Sequence, residues 1–123
     1  MTSPVAPVEF VLETTAHPTA IRAAGVAAAA EVGADGVVGE VSHNAASVTY
    51  DVLAAGDGTR LMALVVSWHE LGAGRRRVTL VVRGHLVARR SFLGRLPVGR
   101  ATVRGIGPAT RFSAALRAEL TAR

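Results

Sequence analysis

Residues 47–90 read SVTYDVLAAGDGTRLMALVVSWHELGAGRRRVTLVVRGHLVARR. Runs of β-branched and aliphatic residues are cut by Gly56-Asp57-Gly58 and by Leu71-Gly72-Ala73-Gly74. This pattern predicts strands over Ser47 to Ala55, Arg60 to Glu70 and Arg75 to Arg90, the last bent or bulged at Gly84. The middle run (Leu61, Met62, Ala63, Leu64, Val65, Val66) is apolar at consecutive positions and belongs at the centre of a sheet. With two-residue hairpins at Asp57-Gly58 and Ala73-Gly74, alternation places Val48, Tyr50, Val52, Leu61, Ala63, Val65, Val78, Leu80, Val82 and Leu86 on the core face. The opposite face then carries Met62, Leu64, Val66, Trp68 and Val81 at its centre, framed by Ser47, Thr49, Asp51, Glu70, Arg77, Thr79, Arg83, His85 and Arg89. Turn length decides this division, because a one-residue slip exchanges the faces.

Upstream, Val8 to Glu13 alternates apolar and acidic residues as a half-buried strand does. His17-Pro18-Thr19 opens a helix, and Ile21, Ala24, Gly25, Ala28 and Val32 form its stripe until Gly33 and Gly36. Gly33 to Gly39 reads as a connector. Downstream, residues 91–107 are ambiguous: Leu93 to Gly99 makes a poor helix, and Ala101 to Arg104 could be a short strand. Pro108 starts a closing helix with Phe112, Ala115, Leu116 and Leu120 on one side. The order predicts a two-layer α+β fold, an antiparallel sheet of four or five strands with both helices on one face. The length suits one domain over residues 1–123.

In element order and in its amphipathic C-terminal helix, the chain resembles the helix-grip domains of the START and polyketide-cyclase type. It equally resembles a TATA-binding-protein-like half domain. The helix-grip resemblance implies a ligand held between sheet and C-terminal helix, and carries no signature motif and no residue roles.

Charge is divided along the chain. Residues 1–59 hold Arg22 against seven acids, whereas residues 60–123 hold thirteen arginines against Glu70 and Glu119. The absence of Lys, with twenty-three Ala and thirteen Gly, fits GC-rich coding and weakens the basic balance as a sign of nucleic-acid binding. Arg77, Arg83 and Arg89 form a stripe that suits phosphates. Glu9, Glu13, Asp51 and Glu70 on neighbouring strands offer pairing instead, with Glu70 set opposite Arg77. Only five aromatic residues are present, against the stacking that single-strand binding needs. Val103 to Thr110 resembles the Gly-hydrophobic-Gly hairpin of helix-hairpin-helix DNA-binding motifs, which would make Arg104, Gly105, Gly107 and Arg111 an anion site. It departs from that motif at Arg111, where a small residue is usual, and at Pro97 and Gly99, which interrupt the preceding helix.

Several chemistries rank low. Without Cys there is no thiolate, disulfide or Cys-ligated metal. His17, His43, His69 and His85 have no metal-ligand spacing, so no metal or cofactor is expected. Ser67 and His69 share a face, read as the core side, but no carboxylate completes a triad, and no catalytic residue is assigned. Gly33, Gly36 and Gly39 follow a helix rather than a strand, the wrong context for a dinucleotide. No basic leader precedes an apolar segment, and Ala23 to Ala30 is far too short to span a bilayer, which predicts a cytoplasmic protein. The leading expectation is a non-enzymatic binding domain. It would hold a small apolar or anionic ligand oriented by Arg77 and Arg83, or form a homodimer through the Trp68 face. A nucleic-acid module using the arginine stripe is one alternative. A small cyclase or dehydratase with His69 or His85 as acid or base is the other.

Overall fold

The computed structural model describes residues 5–84, 87–92 and 96–122, with Asp35, 87–92 and 96–102 described by backbone alone. In chain order the elements are β1 (Phe10–Thr14), α1 (Pro18–Ala30), β2 (Gly36–His43), β3 (Ser47–Ala54), β4 (Arg60–Gly72), β5 (Arg75–Arg83), β6 (Val87–Phe92), β7 (Leu96–Val103) and α2 (Ile106–Thr121). β1 to β5 form an antiparallel five-stranded sheet in the order β1-β5-β4-β3-β2, and β6 pairs with β7 in a separate ribbon. Tyr50 of β3 meets both helices: its ring lies 5.0 Å from that of Phe112 on α2, and its hydroxyl lies against Gly25 of α1. The chain is therefore a two-layer α+β fold with both helices on one face.

Two expected boundaries differ. Gly36 to Gly39, read as connector, opens β2, because Val37 and Val38 pair with Leu53 and Val52 and extend the sheet by a strand. The long strand expected over Arg75 to Arg90 ends at Arg83, where Gly84 at φ +58° turns the chain off the sheet.

Each helix is held by specific chemistry. Pro18 occupies the first turn of α1, and His17 Nδ1 accepts from the Thr19 amide. At Gly25 an added Cβ would stand 2.0 Å from the Tyr50 hydroxyl oxygen, so α1 reaches this depth only because the position lacks a side chain. On α2, Phe112, Leu116 and Leu120 are buried against the sheet. Ser113 Oγ donates to the Val8 carbonyl at 2.5 Å, and Thr14 Oγ1 donates to the Leu120 carbonyl at 3.3 Å. Both hydroxyls are buried and bonded, as burial of a polar group requires. The Arg117 guanidinium lies 5.0 Å over the Phe10 ring. Arg111 Nη1 donates to the Val32 carbonyl just past the end of α1, a favourable end of a helix for a cation.

The register reverses the expected faces of β4. Ala73 (φ 55°) and Gly74 (φ 76°) form the two-residue turn, with Gly72 opposite Arg75. The register then shifts, so that Glu70 faces Arg76 rather than Arg77 and Leu71 is the extra residue. At the other end Val52 faces Met62 and Leu53 faces Arg60, leaving Leu61 as a second extra residue beyond a connection longer than two residues. Each bulge moves the pairing by one and turns every β4 side chain over. Met62, Leu64, Val66 and Trp68 therefore lie buried on the helix face beside Tyr50, Val78 and Leu80. Ala63, Val65, Ser67 and His69 take the opposite face. The expected faces of β3 and β5 are those observed.

Candidate functional site: the open face of the sheet

Turning β4 over gives the face away from the helices a particular surface. Its rungs follow from the strand pairing. Glu13, Arg77 and His69 make one; Val11, Thr79, Ser67 and Ser47 the next; Val81, Val65 and Thr49 the third; Arg83, Ala63 and Asp51 the fourth; Leu53 and Val37 lie beyond. None of these side chains is buried, whereas Val48, Tyr50, Leu64, Val66, Val78 and Leu80 on the other face are. Val11 is 62% exposed and Val37 54%. The centre of this surface is made of short β-branched and small residues, with cations along β5 and acids on β1 and β3.

Among the described residues, ion pairs engage Arg22 and three arginines of the C-terminal half, Arg60, Arg75 and Arg76. Glu13 pairs with Arg75; Glu70 Oε1 receives Arg76 Nε at 2.7 Å; Glu40 receives Arg22 at 3.2 Å; Asp51 stands 4.0 Å from Arg60. Glu9, also expected to pair with an arginine, instead accepts the Val82 amide at 2.9 Å. Arg76 also donates to the Ala16 carbonyl at 3.0 Å, tying β5 to the segment before α1. Exposed pairs of this kind each contribute about 0–1 kcal/mol. Among the described residues no ion pair forms at Arg77 or Arg83, which project from the open face.

The expected site residues separate accordingly. Val81, Arg77 and Arg83 share the open face. Met62, Leu64, Val66 and Trp68 do not join them, and His85 lies outside the described residues. Of the expected anion set, Arg104 is exposed and Gly107 is open around its Cα, while Gly105 (φ +87°) sits against Leu61 and Val52. Arg111 reaches the Val32 carbonyl instead of that turn.

One cluster escaped the sequence reading. Glu40 of β2 lies opposite Tyr50 and takes Arg22 Nη2 on both carboxylate oxygens at 3.2 Å, with His43 Nδ1 at 3.4 Å. Burial first, then the Glu40 charge, pushes the Tyr50 phenol up to about 12 against the lowering effect of Arg22. At neutral pH this phenol keeps its proton and is neither base nor nucleophile. Glu40 directly follows the Gly33 to Gly39 stretch taken for connector, whose glycines hid the start of its strand. Among the described residues no group of His, Cys, Asp or Glu is arranged to hold a metal. A groove of about 590 Å³ lies along the outer side of α2, lined by Pro7, Thr110, Ala114, Arg117, Ala118 and Thr121. It is distinct from the space between sheet and helices, where Tyr50, Leu64, Phe112 and Leu116 are buried in mutual contact.

No protein-family model, curated protein or solved structure matches the chain.

Proposed function

We propose that this protein is a non-enzymatic binding domain whose first partner is a second copy of itself, seated face to face on the open side of the sheet. The observation carrying this reading is the rung Arg83, Ala63, Asp51 beside the rung Val81, Val65, Thr49. A two-fold axis running along β4 in the interface carries β5 of one copy over β3 of the other at the same height. Arg83 then meets Asp51 of the second copy, Asp51 meets Arg83, and Val65 meets Val65. The alternative axis, across the strands, lays β5 over β5 and brings cations together. Charge therefore selects the first arrangement, as an isologous contact must be complementary to itself. Aligned packing of two sheets suits such β-branched surfaces. Five strands about 4.8 Å apart and rungs about 7 Å apart give on the order of 600 Å² per copy, approaching the roughly 800 Å² of a standard interface.

The test is molar mass by light scattering across a concentration series. The expected mass is twice that of the 12.7 kDa chain, and Val65→Arg, which places opposed cations on the axis, is expected to return it to one chain with unchanged circular dichroism. A wild-type mass of one chain at all concentrations would overturn the proposal.

A further inference from the structure

We infer that the β6–β7 ribbon is a duplex nucleic-acid contact, independent of the open sheet face. Among the described residues β6 and β7 pair with each other and with no strand of the five-stranded sheet, so they form a separate ribbon between Gly84 and α2, joined to the core at Val103. Its backbone register places Arg90 opposite Val98, and Arg89 and Arg100 together in the irregular segment between that rung and the Ala88–Thr102 rung. Arg104, exposed, follows at its foot, where its charge helps hold the Asp57 carboxyl below the usual range after the larger effect of hydrogen bonds from Thr59.

The ribbon strands carry no acid of their own, since no Asp or Glu occurs between Glu70 and Glu119 in the sequence; Asp57 lies near Arg104 at the foot. The acids of the sheet are engaged elsewhere: Glu13 with Arg75, Glu70 with Arg76, Glu40 with Arg22, Asp51 with Arg60, and Glu9 with the Val82 amide. Three arginines on a two-stranded element that carries no acid, with Arg104 at its foot, have a polyanion as their natural partner. A ribbon is admitted by the roughly 12 Å major groove of a duplex. Eight residues of β7, at about 3.3 Å each, span some 26 Å, or roughly eight base pairs. Phe92 is the one aromatic residue on the ribbon, too few for the stacking platforms that hold single strands.

The experiment is fluorescence anisotropy with a 20-base-pair DNA duplex and a 20-nucleotide single strand from 50 to 200 mM salt. Four phosphate contacts predict that duplex affinity falls about 100-fold over that range. The variant Arg89→Ser/Arg90→Ser/Arg100→Ser is expected to lose duplex binding while Trp68 emission is unchanged. Arg77→Ser, on the open sheet face and outside the Arg83–Asp51 contact of the proposed dimer, is expected to bind within about twofold of wild type. No duplex binding at 50 mM salt, tighter binding of the single strand, or equal loss in both variants would each overturn the assignment. Because Val65→Arg acts on the other surface, loss of the dimer with retained duplex binding separates this proposal from the first.

Discussion

At the scale of single residues, the fit between Gly25 and Tyr50 sets the distance between α1 and the sheet. A methyl group 2.0 Å from a phenolic oxygen cannot be accommodated without moving the helix or the ring. Gly25→Ala is expected to lower stability by about 1–3 kcal/mol in denaturant unfolding despite the better helix propensity of Ala, as overpacking does. Adding Tyr50→Phe, which removes that oxygen, should recover part of the loss; a fully additive double variant would contradict the contact. The same tyrosine gives a pH dependence of known sign. Its pKa lies near 10.0 when unperturbed and about 12 in the fold, so the fold favours the neutral form. The resulting stability, on the order of 2–3 kcal/mol, is complete below about pH 10 and is lost as pH rises through about 12. Since Tyr50 is the one tyrosine in the chain, phenolate absorbance reads it directly, and Glu40→Gln should move its midpoint downward.

At the scale of elements, the bulge at Leu71 and its turn decide which face of β4 is buried. Among the described residues Ala73 is the one non-glycine at positive φ, at 55°, in a turn that favours Gly or Asn. Ala73→Gly is therefore expected to stabilise by up to about 1 kcal/mol in thermal or denaturant unfolding, and no gain would speak against the turn geometry. Deleting Leu71 should leave Val66 and Trp68 beneath the helices, because the Glu70–Arg76 and Gly72–Arg75 rungs then become successive; loss of the blue-shifted Trp68 emission in that variant would contradict its place as the extra residue. These bulges also mark where sequence reasoning reached its limit. The strands β3, β4 and β5, both helices and the two-residue turn at Ala73-Gly74 were legible from alternation, helical spacing and glycine. β4 was ambiguous, since a run apolar at consecutive positions fits either register, and only bulged residues with no local signature tell them apart. β2 was hidden by its glycines. In the site, Arg77, Arg83 and Val81 were found through the unambiguous alternation of β5, whereas Val65 was assigned to the core.

At the scale of the whole molecule, the uneven charge of the chain is offset in part between its halves. N-terminal acids meet C-terminal arginines across the sheet through Glu13–Arg75 and Asp51–Arg60. Arg83 stands outside this scheme on the open face, and the proposed dimer gives it Asp51 of the second copy. Trp68, buried at 8% exposure on the helix face, should keep its blue-shifted emission whether the chain is alone or paired, so its fluorescence reports folding and not association. The central claim is tested most directly by a charge-exchange series in sedimentation equilibrium. Arg83→Asp alone and Asp51→Arg alone should each weaken the dimer at least tenfold, and the combined variant should restore it to within a few-fold of wild type. Additive weakening in the combined variant, or no effect of either exchange on a dimer that persists, would contradict the account.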